Sequence, residues 1–319
     1  MSPRSDLEDL DFDAAFKRSR ANAARRSYPG AEDARYRDGL ILPALAPRFS
    51  LNLGAGKSVF TIGSCFARNV EEALAAEGVT LPTLNFAVPK SEWKWPRANG
   101  ILNEFNPGTI AARISGAMSG TRSDAGTLVE GADGISDLLL AGGQGVLMER
   151  AVARRAEIFD LYAHLPRAEA VIITLGYIET WFDAELQTYL NRMPHPNLAR
   201  KSGTRYRYRR LGVSASLDLL HPAIEAMTSR GIKVLLSVSP VPLQTTFEDA
   251  DCMVANEYSK SVLRVVAEEL WRAHPLVDYI PTYESIRTTG LAAYDADHVH
   301  VNGDVVATEI AHMLAAYRA

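Results

Sequence analysis

Residues 60–67 read Phe-Thr-Ile-Gly-Ser-Cys-Phe-Ala, an apolar run that ends at a glycine and leads into two side chains able to act as nucleophiles. The largely apolar residues 58–62 predict a short buried strand, and apolar residues at helical spacing within 67–76 predict a helix directly after it. Side chains at such a corner lie at the carboxyl edge of a parallel sheet, where ligands bind. We therefore expect Ser64 and Cys65 to face a ligand site in an α/β protein.

Of these two residues, we favour Cys65 as the nucleophile. Backbone N–H groups and the positive end of the helix dipole favour a thiolate over a thiol, so its position alone is expected to activate Cys65. Two alternatives stay open. Ser64 is the nucleophile in one of them, and it otherwise caps the helix. In the other, Cys65 is a small apolar side chain packed under the helix.

Apolar runs and helical patterns alternate through the second half of the chain. This alternation predicts parallel βαβ units. Polar or small residues follow two of the runs, at 176–179 and 239–242, and should converge with the corner at Gly63. The apolar runs are 170–175, 233–238 and 277–280, and the helical patterns lie near 149–165, 214–230, 256–273 and 303–318.

A histidine that could serve as the base lies near the end of the sequence. Asp297 and His300 are three residues apart, and in a turn this spacing lets the carboxylate bind the imidazole and fix its tautomer. His298 is the alternative base, and Asp295 is the alternative carboxylate. We expect Asp297 and His300 to assist the nucleophile.

Composition limits the classes of function. The chain has 319 residues, of which 47% are hydrophobic, and a net charge of −4, so we expect a globular protein that does not bind nucleic acid. Cys65 and Cys252 are too few for a disulfide framework, and we expect neither a signal peptide nor a membrane span. We therefore expect a cytoplasmic location and no membrane partner. His298 and His300 lack further ligands of a metal site, so no metal is expected.

The sequence also predicts how the chain is divided. Residues 1–50 are charged and broken by prolines, which predicts an N-terminal arm before an α/β domain over 51–319. Within an insertion at about 181–211, alternating tyrosine and arginine predict one strand of a small hairpin. The basic residues of this insertion are either a solvated face or a lid over an anionic substrate. They are Arg200, Lys201, Arg205, Arg207, Arg209 and Arg210.

The stretch 61–67, Thr-Ile-Gly-Ser-Cys-Phe-Ala, resembles the defining motif of the GSCFA-domain proteins, bacterial members of the wider SGNH (GDSL-like) hydrolase group. The resemblance covers about residues 57–305. Its supporting matches lie at 174–181, 239–242, 255–261 and 281–284.

The resemblance implies a flavodoxin-like, three-layer α/β/α fold with a five-stranded parallel sheet. It also implies an esterase or O-acyltransferase that acts on an acylated carbohydrate or an acyl thioester through Cys65 or Ser64, His300 and Asp297. A role in polysaccharide modification would follow. No cofactor is expected, but acyl-coenzyme A is one alternative for the acyl donor. The sequence does not predict the oligomeric state.

Two departures from the wider group affect the predicted site. The turn that commonly reads Gly-Asp-Ser is Gly63-Ser64-Cys65 here, and the oxyanion segment Gly-x-Asn-Asp is replaced by Gly176-Tyr177-Ile178-Glu179. The oxyanion would then be held by backbone N–H groups of residues 63–65 and Gly176, or by Asn103 or Asn106. Glu179 has either a substrate-binding or a structural role. The missing asparagine also keeps open a non-catalytic module that binds carbohydrate or another ligand.

Overall fold

The computed structural model describes residues 8–22, 25–37, 39–122 and 125–318, so parts of the predicted N-terminal arm (1–7, 23, 24 and 38) lie outside the described residues. Within the described chain the strands are β1 (Tyr36–Arg37), β2 (Leu40–Ile41), β3 (Val59–Gly63), β4 (Leu128–Gly131), β5 (Gly134–Asp137), β6 (Ala170–Leu175), β7 (Glu179–Asp183), β8 (Thr188–Leu190), β9 (Tyr206–Arg210), β10 (Lys233–Val238) and β11 (Val277–Tyr279). The α-helices are α1 (Phe12–Ala21), α2 (Cys65–Ala76), α3 (Pro107–Ser119), α4 (Met148–Tyr162), α5 (Pro196–Lys201), α6 (Val213–Thr228), α7 (Cys252–Ala273), α8 (Thr282–Thr289) and α9 (Gly303–Tyr317).

A parallel sheet in the order β11, β10, β6, β3 forms the centre of the molecule. Its register places Ile62 beside Ile173, and Ile173 beside Leu236. The residues of β3 and β6 are all buried, because helices cover both faces of the sheet. This double coverage explains why these strands read as continuous apolar runs in the sequence.

Successive side chains of each strand enter two separate apolar layers. Phe60 and Ile173 belong to the layer packed against α3, α6 and α7. Val59 and Ile172 belong to the layer packed against α2 and α9. The structure is therefore a mixed α/β protein that fits a three-layer α/β/α arrangement.

The parallel sheet has four strands in the described residues, one fewer than the five expected. After α2 the chain reaches the free edge of β3, where the Thr80 carbonyl accepts a hydrogen bond from the Val59 N–H (2.9 Å). Pro82 follows and has no N–H to donate to a strand ladder. The chain instead continues through turns to a 3₁₀ helix at Ala98–Leu102.

The segment expected to contain a small hairpin has three strands where a hairpin has two. Residues 179–210 contain a three-stranded antiparallel sheet in the order β8, β7, β9. The alternating tyrosines and arginines lie in β9, where Trp181 pairs with Tyr208. Leu190, at the end of β8, pairs with Trp181 on the other side of β7.

The N-terminal region contacts the rest of the molecule unevenly. Helix α1 has no buried residue among those described, whereas Leu40 and Leu42 are buried. The Arg48 guanidinium lies over the Trp271 ring, 4.1 Å from its centroid. A boundary at residue 50 stays a prediction. Among the described residues, no helix is long and apolar enough to cross a membrane.

Candidate active site

The turn between β3 and α2 requires a glycine. Gly63 has a φ of 153°, and a Cβ at this position would collide with the side chain and carbonyl of Thr174 on the neighbouring strand β6. Because Gly63 lacks a Cβ, the chain can turn from the sheet into α2 within one residue. This close approach places Ser64 and Cys65 at the carboxyl edge of the parallel strands.

Ser64 occupies the N-cap of α2 and is 4% exposed. Its Oγ accepts a hydrogen bond from the Phe66 N–H (3.3 Å) and donates one to Ser239 Oγ (3.0 Å). Ser239 Oγ also accepts from the Val241 N–H (3.3 Å). The Ser64 hydroxyl therefore links the start of α2 to the segment after β10, as capping predicts.

Cys65 lies at the junction of two cavities. The first, which we call the Cys65 cleft, has a volume of about 490 Å³. The second has a volume of about 740 Å³, lies between α2 and the start of α9, and shares Cys65, Asn103 and His300 with the cleft. The structure thus brings together at the Cys65 cleft Ser64, Cys65, Asn103, Asn106, Gly176, Glu179 and His300.

Asp297 contacts His300 through both the backbone and the side chain. Its Oδ1 accepts from the N–H groups of Val299 and His300 (2.9 Å each), and Oδ2 accepts from Nδ1 of His300 (2.6 Å). These contacts, the imidazole foremost, hold the pKa of Asp297 well below its usual range. The His300 side chain is 51% exposed and lines the cleft, whereas His298 is not among the lining residues.

Position at a helix start does not by itself activate Cys65, contrary to our expectation from the sequence. Burial raises the pKa of the Cys65 thiol, because a thiolate loses its hydration there. The cations of Lys260 and Arg97 and the backbone N–H groups act in the opposite direction without offsetting burial. The resting group at neutral pH is therefore a thiol, and its reaction requires a base.

Lys260 is a residue near this site that the sequence analysis did not identify. It is 1% exposed, and its Nζ donates a hydrogen bond to the Gly176 carbonyl (2.6 Å). Burial lowers the pKa of Lys260 to about 7, and the Cys65 thiolate acts against this shift. A signal was present in the sequence, because Lys260 lies at helical spacing before the apolar residues Leu263 and Ala267, on the face of α7 that is buried.

The candidate oxyanion donors differ in availability. The Gly176 N–H donates to the Phe105 carbonyl (3.2 Å), so the structure does not support its expected role. Asn106 caps α3 by accepting from the Thr109 N–H (3.0 Å), and its Nδ2 donates to the Leu190 carbonyl (3.3 Å). By contrast, Asn103 lines the cleft, and its side-chain amide makes no hydrogen bond among the described residues. Its Nδ2 is therefore free to donate to an oxyanion, and Asn103 is the better placed amide.

Glu179 holds a loop that forms one side of the cleft. Its Oε1 accepts from Thr246 Oγ1 (2.7 Å), and its Oε2 accepts from the Phe247 N–H (2.8 Å). Both carboxylate oxygens are thus engaged by the protein. Of the two roles considered for Glu179, this geometry favours the structural one.

Two pairs of aromatic side chains line the cleft. Trp93 and Trp95 are arranged edge to face, with ring centroids 6.2 Å apart. Trp181 and Phe247 form a second edge-to-face pair, with centroids 5.3 Å apart. All four residues line the Cys65 cleft, and Trp95 is 64% exposed. The cleft therefore offers flat apolar surfaces to a ligand.

Comparison with known proteins identifies the family. No curated protein matched the chain. A family profile described as the GSCFA family matches residues 58–312, which include the Gly63 corner, the Cys65 cleft and the Asp297–His300 turn. The match covers well over half of the sequence, and the chain therefore belongs to the GSCFA family.

Proposed function

We propose that the protein is an acyl-transfer enzyme, an esterase or O-acyltransferase, in which Cys65 is the nucleophile and His300 is the base. The observation that carries this proposal is that both residues line one cleft while Asp297 holds the Nδ1 side of the His300 ring. Asp297 is the residue that orients His300.

The hydrogen bond to Asp297 defines the proton transfer. An Nδ1–H donated to this carboxylate leaves Nε2 as the acceptor, a tautomer inferred from the hydrogen bond itself. Nε2 takes the thiol proton as Sγ bonds to the carbonyl carbon of the substrate. The carbon–oxygen bond, or the carbon–sulfur bond of a thioester, then breaks, and the leaving group receives that proton from His300.

The second half of the reaction releases the acyl group. His300 takes a proton from water or from a hydroxyl group, whose oxygen attacks the thioester carbonyl on Cys65. The bond to Sγ breaks, and Sγ recovers the proton from His300. Water as the acceptor makes the enzyme an esterase, and a carbohydrate hydroxyl makes it an O-acyltransferase.

The oxyanion of both steps would be held by two groups. The Cys65 N–H belongs to the first turn of α2 and has no acceptor within the helix. The Asn103 amide faces the same cleft and replaces the asparagine that is missing after β6. The Lys260 cation adds favourable charge near the sulfur.

The aromatic lining supports a carbohydrate as one substrate. Sugar rings have apolar C–H faces that stack on aromatic rings, and the exposed Trp95 and the partly buried Trp181 both line the cleft. The acyl donor in this proposal is either the acylated carbohydrate itself or an acyl thioester such as acyl-coenzyme A.

A non-catalytic ligand-binding module is the second candidate, and the raised pKa of Cys65 favours it. Steady-state assays with p-nitrophenyl acetate separate the two candidates. The enzyme proposal predicts turnover by the wild type, by Ser64→Ala and by the control Cys252→Ala, and loss of turnover in Cys65→Ala. Addition of a soluble alcohol shows whether the acyl group is also transferred. Equal rates in wild type and Cys65→Ala would support the binding module.

A further inference from the structure

Arg192 is a cation of the Cys65 cleft that the proposed reaction does not use. It lines the cleft and is partly buried. Its Nη1 makes one long hydrogen bond, to the Gly143 carbonyl (3.5 Å). Across the described ranges, Arg192 takes part in no ion pair. A guanidinium keeps its charge in proteins, so this position holds a positive charge without a partner.

The two charged groups that act on Arg192 are each paired with another residue. Asp137, the carboxylate that acts on Arg192, is bound by Arg155 (2.6 Å). Arg154 repels Arg192 and is paired with Glu92 (3.1 Å). Burial without a counter-ion accordingly lowers the pKa of Arg192. An anion entering the cleft would supply the missing partner.

Three of the basic residues considered as either a solvated face or a lid over an anionic substrate make other contacts. Arg205 is paired with Asp183 (2.7 Å), and Arg210 is paired with Glu248 (2.5 Å). The Arg209 guanidinium lies 3.3 Å from the centroid of the Phe182 ring. An anion-binding role on the cleft side therefore falls to Arg192, which the sequence analysis did not single out.

Arg192 lines the same cleft as the aromatic side chains Trp95 and Trp181. It follows Leu190 by two residues, and Leu190 pairs with Trp181. Its hydrogen-bond acceptor, Gly143, is next to Gly142, which packs against the Trp93 ring. A sugar ring stacked on Trp95 or Trp181 would thus share the cleft with a guanidinium that is unpaired among the described residues.

We propose that Arg192 binds a carboxylate or phosphate group on the carbohydrate substrate, so that the substrate is an acidic sugar. This inference rests on the proposed function, in which the substrate is a carbohydrate. The planar guanidinium can donate two parallel hydrogen bonds to either anion. The anionic group gives specificity, because a neutral sugar leaves the charge of Arg192 uncompensated.

Isothermal titration of the wild-type protein with glucuronic acid, glucose 6-phosphate and glucose tests the proposal. At least one of the acidic sugars should bind about tenfold or more tightly than glucose. Binding of only one of them identifies carboxylate or phosphate as the recognised group. Arg192→Gln should remove the preference, and Arg192→Lys should retain part of it. The control Arg200→Gln changes an exposed arginine outside the cleft and should keep the full preference.

Equal binding of the three sugars, or no binding of any of them, would overturn the proposal. Loss of the preference in Arg200→Gln to the same extent as in Arg192→Gln would also overturn it. Thermal melting of each variant shows that a change in binding is not a change in folding. Sugar binding does not require the Cys65 thiol, so a failure here is distinct from a failure to form an acyl-enzyme.

Discussion

The buried Lys260 ammonium donates a hydrogen bond to the carbonyl of Gly176, with 2.6 Å between Nζ and O. Gly176 lines the Cys65 cleft, and Lys260 is the cation with the largest influence on the Cys65 thiol. Besides the proposed base His300, the site therefore contains a buried lysine whose charge favours loss of the proton from the sulfur.

Replacing this lysine should reduce the thiolate fraction of Cys65 near neutral pH. Lys260 is partly protonated near pH 7, and Lys260→Met removes this cation, which favours the thiolate. The rate of alkylation by iodoacetamide, followed against pH in a Cys252→Ala background, measures the thiolate fraction. Relative to the Cys252→Ala parent, the rate should fall near pH 7 and should be similar above about pH 9, where Lys260 is neutral. An unchanged profile, or a shift to lower pH, would show that Lys260 does not act on the sulfur.

The same substitution should change how stability depends on pH. Burial lowers the pKa of Lys260 from 10.5 to about 7, so between these values the unfolded chain binds more protons than the folded one. The stability of the lysine protein therefore rises with pH across this window, by at most about 1.4 kcal/mol per pH unit relative to Lys260→Met. Below about pH 7 the full cost of burying the Lys260 ammonium opposes folding, and above pH 10.5 this cost is absent.

Urea denaturation at pH 7.5 and pH 9.5, with and without Lys260→Met, measures this difference in a Cys65→Ala background. That background removes the coupled titration of the thiol. The methionine variant should be the more stable protein at pH 7.5, and its advantage should shrink at pH 9.5. An advantage that is constant or grows with pH would contradict a lowered pKa of Lys260.

Substitutions of His298 and His300, in the turn before α9, should differ sharply in their effect on esterase activity. His300→Ala removes the base and should lower kcat/KM for p-nitrophenyl acetate by about 10²–10⁴. Asp297→Asn should cause a smaller fall, because the ring loses its orienting carboxylate but keeps its position. His298→Ala is the matched control, since this exposed neighbour does not line the cleft, and its kcat/KM should stay near that of the wild type. A larger loss in His298→Ala than in His300→Ala would reverse the assignment.

The glycine at the corner should be intolerant of any side chain. Gly63→Ala forces an unfavourable φ and a collision with Thr174, which together should cost roughly 2–5 kcal/mol of unfolding free energy. Gly78→Ala is the control, because Gly78 also has a positive φ (80°) but has open space around it. That variant should cost only about 1–2 kcal/mol. Equal losses in urea denaturation would show that the contact with Thr174 is unimportant.

The parallel core of this fold was predictable from the sequence, because strands covered on both faces carry continuous apolar runs. The apolar runs at 59–63, 170–175 and 233–238 form three neighbouring strands of the sheet. The lack of a fifth strand in the parallel sheet of the described residues was not predictable in the same way. Val79 and Leu81 are apolar and lie at the edge of the sheet, which favours a strand, whereas Pro82 cannot donate to a strand ladder. The sequence alone does not show which of these two effects is the stronger.

The candidate site shows a similar division. The contact between Asp297 and His300 is local, so a spacing of three residues was enough to predict it. The engagement of the Gly176 N–H by Phe105 and the burial of Lys260 join segments far apart in sequence. Burial also reversed the expected effect on Cys65, because desolvation depends on the whole fold and not on the helix start alone.

A covalent acyl-enzyme on Cys65 can be detected by intact mass spectrometry after an acid quench. Wild type and the control Cys252→Ala, mixed with p-nitrophenyl butyrate, should each gain one butyryl group, and peptide mapping should place it on Cys65. Cys65→Ala should gain none, and Ser64→Ala should still be labelled. An unlabelled wild type, or a butyryl group that persists in Cys65→Ala, would rule out Cys65 as the nucleophile.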